Sequence, residues 1–177
     1  MPRSSLPSPA STPTDPPLTR RAWLARVTAF AGAGGAALWA RRAAAAVPAA
    51  PLALTVYKDP ACGCCEQWVA HMAGAGFRPA VHDVADMAAV KARLGVPAPL
   101  QSCHTAQVGD VVVEGHVPAA DVRRFLQARP RVGAGAARGL AVPGMPAGSP
   151  GMEGARADRY TVVAFASDGA TASFAAH

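Results

Sequence analysis

The fold turns on LALTVYKDPACGCCEQWVAHM, residues 52–72. Its first six residues, 52–57, form an apolar, β-rich run that Lys58-Asp59-Pro60 stops, which predicts a strand. Cys62, Cys64 and Cys65 follow almost at once. From Cys65 the apolar period changes: Cys65, Trp68, Val69 and Met72 recur at i, i+3, i+4 and i+7, the mark of one helix face, and Gly74 and Gly76 end the pattern. A strand that runs through a short loop into a helix places these thiols at a helix N-terminus. There, unpaired backbone N–H groups and the helix dipole favour thiolate and lower a cysteine's pKa.

Downstream, residues 77–84 predict a second strand, and Asp86 caps a helix whose Met87, Val90 and Leu94 share a face before Gly95 stops it. Residues 105–108 and 111–114, joined by Gly109-Asp110, predict a hairpin, and Pro118 opens a third helix with Val122, Phe125 and Leu126 on its buried side. The order β-α-β-α-β-β-α defines an α/β domain with the connectivity of a thioredoxin-like fold. Two pieces are expected outside that core. Residues 160–165 and 171–174, flanking Ser167-Asp168-Gly169, predict a C-terminal hairpin. Residues 130–157 have no periodicity and are crowded with Gly, Pro and two methionines, Met145 and Met152; so long a stretch without structure is usually functional or disordered.

Upstream, the charge divides unevenly. The whole chain of 177 residues carries +6, but residues 1–46 hold six arginines against Asp15 alone, leaving +1 for residues 47–177. The part expected to fold therefore lacks the basic footprint of a nucleic-acid binder. Thr19-Arg20-Arg21-Ala22-Trp23-Leu24-Ala25 resembles a twin-arginine export signal, with Trp23 where that pattern usually has Phe. The next 14 uncharged residues, 27–40, contain three glycines and fall short of the roughly 20 that span a membrane. Small residues at 43–50 then offer cleavage sites. Residues 1–46 are expected to be a cleaved signal, with processing between about residues 44 and 51. Residues 47–177 are expected to be a periplasmic domain with no membrane association after cleavage. The alternative is an uncleaved N-terminal anchor.

In an oxidising compartment four cysteines ordinarily mean two disulfides. The spacing argues for chemistry instead: a bridge within residues 62–65 closes almost no loop, and one between adjacent Cys64 and Cys65 is strained. Cys103 stands 38 residues beyond Cys65, near where a thioredoxin-like fold carries the loop facing its active-site helix. Four thiolates can converge there. Thiolates select soft ions, chiefly Cu(I), Zn(II) or iron–sulfur clusters. Adjacent cysteines bridge neighbouring ions more comfortably than they chelate one, which points to a polynuclear Cu(I)–thiolate site.

Four blocks carry a family resemblance: Val56-Tyr-Lys-Asp-Pro-Ala-Cys-Gly-Cys-Cys65, Ser102-Cys-His-Thr105, Glu114-Gly-His-Val-Pro118 and Gly139-Leu-Ala-Val-Pro-Gly-Met-Pro-Ala-Gly-Ser-Pro-Gly-Met-Glu153. In this order, over about residues 52–175, they resemble the CopG-type periplasmic copper-resistance proteins. The resemblance implies a thioredoxin-like fold, copper held by the cysteines and a role in copper tolerance, with interconversion of Cu(I) and Cu(II) as the implied chemistry. Copper ions are the expected ligand, and periplasmic copper-handling or redox proteins the expected partners.

Among the remaining ligand candidates, His116 follows the predicted hairpin and adjoins Val117-Pro118, where the fold brings the chain beside the active-site helix; it is the preferred imidazole. His104 neighbours Cys103, but adjacent residues on an extended chain point opposite ways, which favours a structural role over ligation. Met145 and Met152 are thioether candidates or the apolar lining of a loop that bends over the helix N-terminus. His71 and His82 read as ordinary, and His177 as part of the C-terminal tail. Two other functions stay open. A thiol–disulfide oxidoreductase would use Cys62 and Cys65 and would have little need of Cys64 and Cys103. A zinc or iron–sulfur structural domain is disfavoured by the C-x-C-C spacing.

Overall fold

β1 (Leu52–Lys58) is buried at alternate residues, Leu54, Val56 and Lys58, as a strand between two layers must be. The computed structural model describes residues 50–154 and 156–177, so the reading of residues 1–46 as an export signal lies outside the described residues. Residues 50–177 make one compact unit. After β1 come α1 (Gly63–Gly74), β2 (Phe77–Asp83), α2 (Met87–Leu94), a short 3-10 turn (Ala98–Leu100), β3 (His104–Val108), β4 (Val111–Glu114) and α3 (Ala119–Gln127). This is the β-α-β-α-β-β-α order expected from the sequence. The local signals act as read: the Asp86 carboxylate accepts the Ala89 N–H, and Gly95 ends α2 at φ +69°.

The remainder joins the same sheet. β5 (Arg131–Val132) and β6 (Gly135–Ala136) make a small separate ribbon, and β7 (Gly139–Ala141), β8 (Thr161–Phe165) and β9 (Thr171–Ala176) extend the main sheet to seven strands in the order β2-β1-β3-β4-β7-β8-β9. The C-terminal hairpin was expected outside the core, yet β7 links it in, running parallel to β4 and antiparallel to β8. β4 would otherwise be an unpaired edge, and three residues with no periodicity of their own complete its hydrogen bonding. At Gly139 any Cβ would strike the Val112 carbonyl and the Phe165 ring, so this close approach requires glycine.

Two apolar clusters cover opposite faces of the sheet. Leu54, Val56, Trp68, Met72, Val113, Val122, Phe125 and Leu140 pack on the face carrying α1 and α3; Val90, Leu94, Val112, Ala141 and Phe165 pack on the face carrying α2. Neighbours such as Val112 and Val113 enter different clusters, the alternation a pleated strand imposes.

Candidate metal centre

Strand register brings four connections to one end of the sheet. β1 ends at Lys58, which pairs with His104 at the start of antiparallel β3; Thr105 pairs with Glu114 at the end of β4, and Glu114 with Ala141 at the end of β7. The loop from β1 into α1, the residue before β3, the residues after β4 and the long segment after β7 therefore all leave from the same edge. They carry Cys62, Cys64 and Cys65; Cys103; His116; and Met145 and Met152, respectively.

Asp59 builds the first of these turns: its carboxylate accepts the Ala61 N–H (2.8 Å) and its carbonyl accepts the Cys62 N–H (3.0 Å). Cys62 then occupies the N-cap of α1. Cys62 and Cys65 are joined by a disulfide, with Cα atoms 5.4 Å apart, whereas the sequence favoured four free thiols. The short loop does make such a bridge a poor staple, but one helical turn also brings residues i and i+3 within disulfide reach, so geometry permits what stability does not demand. Cys64 and Cys103 are free, and the Cys64 sulfur lies 3.6 Å from that of Cys62. All four sulfur atoms fall within 4.8 Å of one another.

A second group overlaps the first. Ligand atoms of Cys103, His104 and His116 also lie within 4.8 Å of one another. His116 is fully buried; its Nδ1 lies 2.7 Å from the Pro150 carbonyl and its Nε2 3.0 Å from Cys103 Sγ. A carbonyl can only accept, so Nδ1 carries the proton and Nε2 presents a lone pair to the sulfur cluster, the arrangement of a metal-binding imidazole oriented by its other nitrogen. Burial also lowers the His116 pKa, against the pull of Pro150, which favours the neutral ring. The Gly- and Pro-rich segment thus bends over the helix N-terminus, as expected. At Gly151, with φ +86°, a Cβ would come within 2.7 Å of the Trp68 nitrogen and 2.8 Å of the Cys64 carbonyl.

His104 departs from its expected place. Alternation was to point it away from Cys103, but Cys103 precedes the strand that His104 begins, so the rule does not link them. The His104 Nδ1 is 3.3 Å from Cys103 Sγ and its ring stands 4.4 Å from that of Trp68. Burial, then the neighbouring His116 and Lys91, hold its pKa well below the usual range. Its buried Nε2 has no hydrogen-bond partner among the described residues, while Nδ1 is the nitrogen that faces Cys103. Burial pushes the Cys103 thiol up to about 11, with Cys64 adding to the shift, so a metal must displace a proton to bind there. Met145 is 54% exposed on the loop that the Ser102 hydroxyl ties down through Gly144, and Met152 is half-buried.

Several supporting residues escaped the sequence reading. His71, read as ordinary, accepts the Ala119 N–H at the start of α3 (3.1 Å), and burial lowers its pKa. The Trp68 indole donates to the Val117 carbonyl (2.9 Å), tying α1 to the chain beside His116. Lys91 and Glu114 form a buried pair behind Cys103. The available signal was a charge inside an apolar pattern, Lys91 beside Val90 and Glu114 ending Val111-Val-Val.

A thioredoxin-like domain whose helix N-terminus gathers four cysteines and two histidines defines a class: a cysteine-rich centre whose residues could hold a soft metal ion. A family profile described as a protein of unknown function, DUF411, matches residues 100–152, the stretch from the 3-10 turn through Cys103 and His116 to Met152. Two solved structures are similar along most of the chain. Copper resistance protein copG, Form 2, is 48% identical, with 72% of this chain and 98% of that one covered and a TM-score of 0.66. Copper resistance protein copG, Form 1, is 46% identical over the same shares, with a TM-score of 0.65. The chain belongs to the CopG copper-resistance protein family. Comparison with curated proteins gives no match.

Proposed function

We propose that this protein is a periplasmic copper-binding module of copper resistance. With the Cys62–Cys65 bridge reduced, it holds Cu(I) in a polynuclear thiolate site of Cys62, Cys64, Cys65 and Cys103, with His116 as the nitrogen ligand and His104, Met145 and Met152 as further contributors. The observation that carries this reading is the convergence of four sulfur atoms from two separate loops within 4.8 Å. Thiolate donors favour Cu(I), and an imidazole beside them tolerates Cu(II). The copper-resistance name of both related structures supports copper as the ion.

Cys62 and Cys65 supply the electrons. Two Cu(II) ions would each take one electron as the two thiols lose two protons and join as the disulfide, and the Cu(I) formed would then rest on the two remaining thiols, Cys64 and Cys103, and on His116. An electron partner in the periplasm resets the dithiol. The test uses reduced, copper-free protein: adding Cu(II) anaerobically should yield two Cu(I), trapped by bicinchoninate, for each Cys62–Cys65 bridge found by peptide mapping. Retained Cu(II) with every thiol intact would overturn the redox step, and no copper on protein desalted before bicinchoninate is added would overturn the whole reading.

The disulfide at the N-terminus of α1 also favours a second reading, a thiol–disulfide oxidoreductase acting through Cys62 and Cys65. Insulin reduction at thioredoxin-like rates by protein without copper would select it.

Residues 1–46 are proposed as the twin-arginine signal that delivers residues 47–177 to the periplasm. No helix among the described residues is long and apolar enough to cross a membrane. The Arg20→Lys/Arg21→Lys variant should accumulate as unprocessed precursor in the cytoplasm on cell fractionation. Normal processing of that variant through the general secretory route would remove the twin-arginine assignment and leave the copper reading untouched.

A further inference from the structure

Glu114 is fully buried at the end of β4, and Lys91, on α2, is only 5% exposed. The Lys91 ammonium donates to Glu114 Oε1 at 2.5 Å and to the Thr105 hydroxyl at 3.0 Å. Glu114 accepts two further bonds, from the Ser102 backbone N–H to Oε1 and from the Thr105 hydroxyl to Oε2, both 2.6 Å. Ser102 immediately precedes Cys103, and Thr105 immediately follows His104. One carboxylate therefore grips the chain on both sides of the Cys103-His104 dipeptide. A third tie, from the Gly115 N–H to the His104 carbonyl at 2.9 Å, joins the same dipeptide to the turn that carries His116.

A buried ion pair is weak evidence for stability, because apolar residues of similar volume often serve as well or better. What such residues cannot do is hold two separate donors of another segment at fixed positions. We propose that the Lys91–Glu114 pair, acting through Thr105 and Ser102, is a positioning device that sets Cys103 and His104 against Cys64 and His116. Neither Lys91 nor Glu114 touches the metal. The proposal rests on the reading of Cys103 as a ligand, but its geometry can be tested without copper.

With the Cys62–Cys65 bridge in place the two free thiols are Cys64 and Cys103. Diamide takes two electrons and two protons from them as the second bridge forms, so the trapping rate reports how well Cys103 is held near Cys64. A loosened segment lowers the effective concentration of one thiol at the other. In copper-free protein, Glu114→Gln, which cannot accept from all three donors, and Thr105→Val, which keeps volume but loses the hydroxyl, should each slow trapping by about ten-fold. Thr105→Ser should rescue it. The charge-neutral Lys91→Met/Glu114→Gln variant should remain slow even where its urea midpoint matches the parent. In copper-loaded protein the slow variants should lose about 10- to 100-fold in copper affinity, as expected when a ligand's orienting partner is removed.

Parental trapping rates in Glu114→Gln and in the double variant would overturn the proposal. So would equal slowing by Thr105→Ser and Thr105→Val, which would assign the effect to packing. If Glu114→Gln does not fold, the Thr105 pair decides. If the parent binds no copper, the copper reading fails while the trapping series still judges the positioning role.

Discussion

Cys103→Ser is expected to empty the site rather than thin it. Were the four sulfurs independent ligands, losing one would lower the copper-to-protein ratio by about a quarter; a thiolate that bridges two ions removes support from both, so the loss should reach well over half. Serine nearly preserves the volume but offers a hard, protonated hydroxyl in place of the sulfur that lies 3.0 Å from His116 Nε2. Cys62→Ser, Cys64→Ser and Cys65→Ser should behave alike, because all four sulfur atoms lie within 4.8 Å of one another. Copper analysis with thiol titration on the same samples makes the measurement. Full copper loading in Cys64→Ser and Cys103→Ser, with insulin reduction abolished in Cys62→Ser and Cys65→Ser, would replace the cluster by the oxidoreductase reading.

Gly151→Ala should have the second large effect. Gly151 sits at φ +86°, where a side chain strains the backbone, and its Cβ would meet the Trp68 nitrogen at 2.7 Å and the Cys64 carbonyl at 2.8 Å. Both are backbone atoms in the first turns of α1, which cannot swing aside as a flexible side chain does. Either the loop lifts or the helix start shifts. Strain at such a position amounts to about 1–3 kcal/mol, readable as a lowered urea midpoint. Lifting the loop would also draw the Pro150 carbonyl from His116 Nδ1, now 2.7 Å away. The ring would lose its fixed tautomer, and copper affinity should fall about 10- to 100-fold. An unchanged midpoint and affinity would show that the loop does not bear on the helix in solution.

Gly151 also shows how far a sequence can be read. The Gly- and Pro-rich composition of the segment suited a chain passing over a helix N-terminus without regular hydrogen bonding. Which glycine makes the close approach was not legible, because that depends on where residues 64 and 68 stand in space. The same holds for β7. Gly139-Leu-Ala141 has no period to detect, and it becomes a strand because β4 offers an edge.

The sequence by itself determined the elements from residues 52 to 127 and the thiols at the start of α1. Those signals are local: a change of hydrophobic period, a capping carboxylate, a glycine stop. It also pointed to the cysteines and His116 as the chemical residues, because three thiols within four positions are unsuited to stapling a fold. Only the tertiary structure decided the relations among them. Register placed His104 opposite Lys58 and Glu114 opposite Thr105, and so fixed which loops share an end of the sheet. It set His104 beside Cys103, joined Cys62 to Cys65 and buried Lys91 against Glu114, 23 residues away. The Lys91–Glu114 distance and the meeting of Cys103 and His116 with the start of α1 come from how strands pair and helices pack over the whole chain, and no window of neighbouring residues contains them.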